Sequence, residues 1–77
     1  MEFEKIRDVI SEHMDIEKDK ITRETRFADD LEADSLDIFQ IIMELEDIFG
    51  MEFSNDDAVN IRTVGEAESY VKKAMGT

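Results

Sequence analysis

Ser35 is preceded by Asp34 and followed two residues later by Asp37, and a hydroxyl placed between carboxylates is where this chain most invites chemistry. A serine nucleophile needs a base aimed at its proton and a third group that orients the base. The only histidine, His13, lies far away in sequence, on an apolar stripe with Phe3, Ile6, Val9 and Ile10, where a packed and satisfied ring is the simpler reading. Asp30, Glu32 and Asp34 alternate as calcium ligands do. A calcium loop begun at Asp30, however, puts Ser35 where glycine is needed and Ile41 where the terminal glutamate belongs. There is no cysteine and no glycine-rich phosphate loop. The residues therefore specify neither a catalytic nor a metal centre. Two readings of Ser35 remain: a helix-start residue whose oxygen accepts backbone N–H bonds, or a residue that another enzyme modifies.

The charge around Ser35 is one-sided. From Phe27 to Ile61 there are eleven acids and no base, so nearly all of the net charge of −12 sits in that span. Such a surface repels nucleic acid and anionic lipid and steers basic protein surfaces toward it. No apolar run approaches the ~20 residues of a membrane span, and nothing resembles a signal peptide or a disulfide framework. A cytoplasmic protein is expected, binding neither nucleic acid nor membrane. At 77 residues the chain is read as one domain, 1–77, whose small core makes each buried apolar side chain count.

The elements that must position Ser35 are helical. Apolar spacing predicts a first helix over Glu2 to Met14. Ser35 to Phe49 has no glycine or proline, follows Asp34 and ends at Gly50, and is predicted as the second helix. Asp56 to Ile61 reads as a short third helix led by two acids. Thr63 to Glu66 has capping-box spacing, and Val64, Ala67, Val71, Ala74 and Met75 then form one stripe of a last helix ending at Met75, with Tyr70 at its edge. No segment alternates as a strand does. The expected fold is all-α, a four-helix bundle with three longer helices and one short one. The long connection from Asp15 to Asp34 must be anchored, and Ile21, Phe27 and Leu31 are available for that.

The second helix carries two apolar faces. At about 100° per residue, Ile38, Ile41, Ile42, Leu45, Ile48 and Phe49 gather toward the core. Leu36, Phe39 and Met43 fall opposite them, beside Gln40, Glu46 and Asp47. Either the helix is buried all round, or it offers an apolar strip rimmed by acids to a partner with an apolar groove and a basic rim.

The run Asp30-Leu31-Glu32-Ala33-Asp34-Ser35-Leu36-Asp37 resembles the modification motif of the acyl carrier protein family. Ile38 to Phe49 resembles the family's recognition helix and Thr63-Val64-Gly65 its entry to the last helix, and the apolar register agrees from near Glu2 to Met75. The resemblance implies that Ser35 bears 4′-phosphopantetheine through a phosphodiester, placed there from coenzyme A by a holo-carrier-protein synthase. Acyl chains would ride on the terminal thiol as thioesters. It also implies that Asp34, Leu36, Asp37, Phe39, Met43, Glu46 and Asp47 meet fatty-acid synthesis enzymes through their basic docking patches, with a monomer acting as a non-catalytic carrier. Three positions depart from the family pattern: Glu32 replaces a common glycine, Gln40 a usual acid, and Ser54 a frequent proline. Phe53 stands where a smaller branched residue is common near the acyl cavity, which it is expected to narrow. A specialised carrier of a polyketide or peptide-synthetase pathway, or an unmodified acidic interaction module, is the alternative.

Overall fold

The computed structural model describes residues 2–76. Four α-helices follow in order: α1 (Glu2–Met14), α2 (Ser35–Phe49), α3 (Asn55–Asn60) and α4 (Val64–Ala74). The expected all-α bundle is what forms, with no strand among the described residues. One turn of 3₁₀-helix, Lys18–Lys20, lies within the long connection and was not foreseen. α1 packs against both α4 and α2, and Ile6, Ile10, Ile41, Leu45, Val64 and Val71 are fully buried in one shared core.

The helix ends follow from local chemistry. Gly50 closes α2 in the left-handed conformation at φ 63°, its N–H donating to the Glu46 carbonyl. Thr63 and Glu66 form the anticipated capping box of α4. The short third helix starts and ends one residue earlier than expected, because Ser54 caps it by accepting from Asp57 N at 3.1 Å, while Ile61 turns extended and inward. Ser54 thus does with a hydroxyl what a proline would do by restricting the chain. The last helix ends at Ala74, and both Ala74 and Met75 are exposed rather than part of the core stripe. Ile48 is likewise exposed although Phe49, next to it, still packs against the core, because at about 100° per residue Ile48 falls at the edge of the Ile41, Ile42, Leu45 and Phe49 stripe.

The connection between α1 and α2 is held rather than loose. Ile21, Phe27 and Leu31 are buried as anchors, and Thr25 and Ala33 join them. Backbone bonds then stitch the loop to the entry of α4: Phe27 N donates to Arg62 O at 3.0 Å, Val64 N to Thr25 O at 3.0 Å and Gly65 N to Arg23 O at 2.8 Å. Gly65 is required there, since a Cβ would lie 2.9 Å from the Arg23 carbonyl oxygen.

Glu68 is a buried acid that sequence pattern did not reveal. Arg23 grips it with Nε at 2.7 Å and Nη2 at 3.2 Å, Lys72 Nζ stands 3.3 Å away, and the Phe3 ring lies 4.5 Å from the guanidinium carbon of Arg23. The Arg23 hydrogen bond holds the Glu68 carboxyl below its ordinary value of 4.5, against the opposing effect of burial. A carboxyl depressed on folding adds stability above its unfolded pKa and loses it as pH falls through the folded one. The melting-temperature advantage of the parent over Glu68→Gln should therefore be full at neutral pH and shrink progressively below pH 4.5. An advantage constant down to pH 3 would contradict this, on the scale of about one pKa unit per tenfold change in protonation.

Glu32 adopts φ 55°, a left-handed conformation that strains a residue with a Cβ. Its cost of roughly 1–2 kcal/mol exceeds the backbone entropy penalty of glycine, about 0.5–1 kcal/mol. Glu32→Gly is expected to stabilise the fold by about 0.5–1 kcal/mol, a rise of several degrees in Tm for a chain of this size. An unchanged or lower Tm would remove the strain argument.

Candidate functional site

The first turn of α2 is built by a reciprocal pair of aspartates. Asp34, extended at φ −87°, accepts at Oδ1 from Asp37 N at 2.9 Å, and Asp37 Oδ2 accepts from Asp34 N at 3.2 Å. This is a capping box with aspartate in the place of the usual glutamate. Ser35 is consequently the first residue inside the helix and not its cap. Its side chain is exposed, and among the described residues no hydrogen bond engages its hydroxyl. The ordinary reason for a serine at a helix start is thus met by its neighbour, which leaves the Ser35 Oγ available at the positive end of α2.

Among the described residues, no basic side chain is hydrogen-bonded to that oxygen. His13 is half-buried at the end of α1, and its Nε2 lies 3.2 Å from Asp37 Oδ1. The Asp34 backbone N–H, and after it the His13 bond, holds the Asp37 carboxyl below the usual carboxylate range, so it stays an acceptor at neutral pH. Among the described residues, no three His, Asp or Glu side chains gather as metal ligands would. No helix of the described residues is long and apolar enough to cross a membrane.

The second apolar face of α2 is exposed. Leu36 is 64% exposed, Phe39 41% and Met43 63%, so the helix is not buried all round. Asp34 and Asp47 are exposed beside them, Asp34 with one oxygen committed to the cap. The other two acids are occupied: Asp37 is tied to Asp34 and His13, and Glu46 Oε2 accepts from Phe53 N at 2.8 Å, bracing the chain after α2. Ile48, assigned to the core by periodicity, adds to the exposed apolar surface, as does Val59 on α3. Periodicity gathers Ile48 with the core face, but its place at the edge of that stripe leaves it turned toward solvent.

Phe53 is buried and stacks on Tyr70 with ring centroids 4.5 Å apart. Tyr70 OH donates to Asp57 Oδ2 at 2.8 Å, and Ser54 Oγ donates to the same oxygen at 2.8 Å. The Ser54 hydrogen bond, followed by that of Tyr70, keeps the Asp57 carboxyl below its ordinary range. An open groove lined in part by Arg23, Asp57, Tyr70 and Lys73 takes in neither Ser35 nor the apolar strip of α2. The Ser35 hydroxyl therefore lies on an open surface and not in that groove.

Like charges crowd this surface, and screening them relieves repulsion in the folded state more than in the expanded chain. Melting temperature is expected to rise with ionic strength. A Tm flat from low salt to 0.5 M would contradict it, since the Debye length falls over that range from tens of ångströms to about 4 Å.

A stable helical scaffold that offers one unengaged serine at the head of an acidic helix is the form of a carrier domain. The family model described as a phosphopantetheine attachment site matches residues 4–71. The chain is similar to the acyl carrier protein of Lactobacillus acidophilus, with 47% identity over 96% of this chain and 92% of that one. It is 51% identical to the acyl carrier protein of Lactobacillus johnsonii over 91% and 88% of the two chains. The solved structure of an acyl carrier protein from Enterococcus faecalis superposes with a TM-score of 0.82 at 42% identity, covering 95% of this chain and 92% of that one. The chain belongs to the acyl carrier protein family. Its prosthetic group is a covalently attached 4′-phosphopantetheine, and an exposed serine hydroxyl with no competing hydrogen bond is the chemistry such an attachment needs.

Proposed function

We propose that Ser35 is the attachment point of 4′-phosphopantetheine and that the chain 1–77, as one monomeric cytoplasmic domain, presents acyl thioesters to the enzymes of fatty-acid synthesis. One observation carries this reading. Asp34 performs the capping that would otherwise explain Ser35, whose Oγ is left exposed and without a partner among the described residues. A phosphodiester there lies at the positive, N-terminal end of α2. Among the described residues no base is aimed at the hydroxyl, and a holo-carrier-protein synthase supplies the activation and delivers the group from coenzyme A.

When attached, the arm supplies the thiol that the chain lacks. The protein's own contribution is to hold the arm beside a docking surface made of Asp34, Leu36, Asp37, Phe39, Met43, Glu46 and Asp47. Leu36, Phe39 and Met43 offer area to desolvate, while the acids draw the basic patches of partner enzymes and set the rate of encounter. Tethering raises the effective concentration of the acyl group at each docked active site without tight binding. Phe53, stacked on Tyr70, narrows the space available inside the bundle to an acyl chain.

The test is direct: incubate the purified protein with coenzyme A and a phosphopantetheinyl transferase, then read intact mass and map the modified peptide. A gain of one phosphopantetheine on the peptide containing Ser35 is expected. No gain with several transferases, or a gain on another residue, would reject the assignment.

A further inference from the structure

The Ser35 hydroxyl makes no bond of its own with the described residues, so its position depends on whatever fixes the first turn of α2. Three side-chain hydrogen bonds hold that turn. Two of them, between Asp34 and Asp37, are internal to it and would move with it. The third arrives from another element: His13, in the last turn of α1, reaches Asp37 Oδ1 across 24 residues of sequence at 3.2 Å. α1 is a firm support, since its Ile6 and Ile10 are fully buried and it packs on both α2 and α4. Asp37 therefore uses one oxygen to close the capping box and the other to fasten that box to α1.

We infer that His13 is a positioning residue for the modification of Ser35, fixing the head of α2 against the end of α1 through Asp37 so that the hydroxyl is presented in one orientation. The inference rests on the assignment of Ser35 as the attachment point. The chemistry suits it. Asp37 is ionised at neutral pH, and an imidazole N–H, in the Nε2–H tautomer or the charged form, is a directional donor to a carboxylate. The bond is half-buried, with side-chain exposures of 18% for His13 and 33% for Asp37, so water competes for it only in part. A transferase that takes up the serine must align Oγ with a phosphorus atom, and small errors in such alignment cost large factors in rate.

The experiment compares the parent with His13→Leu, which keeps bulk and removes the donor, and His13→Gln, which keeps an N–H donor on a side chain of similar reach. Transfer from coenzyme A by one transferase is followed for kcat and KM, and amide hydrogen exchange of the apo proteins is followed residue by residue, together with Tm. His13→Leu should lower kcat at least about tenfold while KM changes much less, because no residue of the docking surface is replaced. Exchange should accelerate at the amides of Asp37 and Ile38 and not in the cores of α1 and α4. His13→Gln should recover most of both effects. A parent that gains no mass overturns the Ser35 assignment, and the positioning role with it. A parent that loads normally, beside a His13→Leu variant with the same kcat, overturns the positioning role alone. A slowed His13→Leu variant whose Tm falls, whose exchange rises in all four helices, and which glutamine does not rescue would show a general structural role and overturn it as well.

Discussion

Ser35→Ala is expected to abolish phosphopantetheine loading completely while changing folding stability by no more than about 0.5 kcal/mol. The two halves of that expectation have separate causes. Loading is lost because the phosphodiester needs a hydroxyl oxygen and alanine has none. Stability is kept because Asp34, and not Ser35, accepts the N–H of Asp37, and because Ser35 is exposed. Alanine at the first helical position also favours helix slightly. Asp34→Ala is the matching control: it removes the cap, at a cost of about 1 kcal/mol, while leaving the hydroxyl proposed as the attachment point. Intact mass after reaction with coenzyme A, read beside thermal melts of all three proteins, checks both halves. Loading of Ser35→Ala to the parental extent would place the attachment elsewhere. A fall in Tm for Ser35→Ala as large as that for Asp34→Ala would mean that Ser35 shares in capping.

Much of this arrangement is legible in the sequence because its signals are local. The caps at Asp34 and Thr63, the stop at Gly50 and the anchors Ile21, Phe27 and Leu31 all follow from residue type and neighbour spacing. What escaped was non-local. His13 and Asp37 are 24 residues apart and Arg23 and Glu68 are 45 apart, and no periodicity within one helix announces a partner on another. Glu68 follows Ala67 on the inner side of α4, where a charged residue is buried only because Arg23 and Lys72 meet it. The limits of the apolar stripes were misjudged as well. Ala74 and Met75 keep the helical rhythm, yet both are exposed at the end of the last helix, while Ile48 lies at the edge of its stripe although Phe49 beside it still packs on the core. Glu32 shows the converse: its departure from glycine was visible in sequence, but only the backbone angle showed that the position still requires the left-handed conformation.

Leu45→Ala and Leu36→Ala make the same chemical change on the same helix and should have opposite consequences. Leu45 is fully buried in the core, whereas Leu36 is 64% exposed. Removing Leu45 deletes transfer free energy and leaves a cavity, for a loss of about 2–5 kcal/mol. A chain of this size has a total stability of only about 5 kcal/mol. The variant is therefore expected to be unfolded or nearly so at 37 °C, since each kcal/mol lowers Tm by about 4–8 °C in so small a domain. Leu36→Ala removes a side chain that mostly faces water and should change stability by less than about 0.5 kcal/mol. Its cost should fall on partner affinity, where an apolar anchor among acids supplies desolvated area. Melting curves, and titration of the loaded carrier against a basic-patched synthase, measure the two effects separately. A Leu36→Ala variant that melts like Leu45→Ala would show that the outer stripe of α2 is part of the core. One that melts and docks like the parent would remove Leu36 from the contact surface. The helix has to satisfy both faces at once, and the division between them places the apolar groups that hold the bundle on one side and the residues proposed to meet its partners on the other.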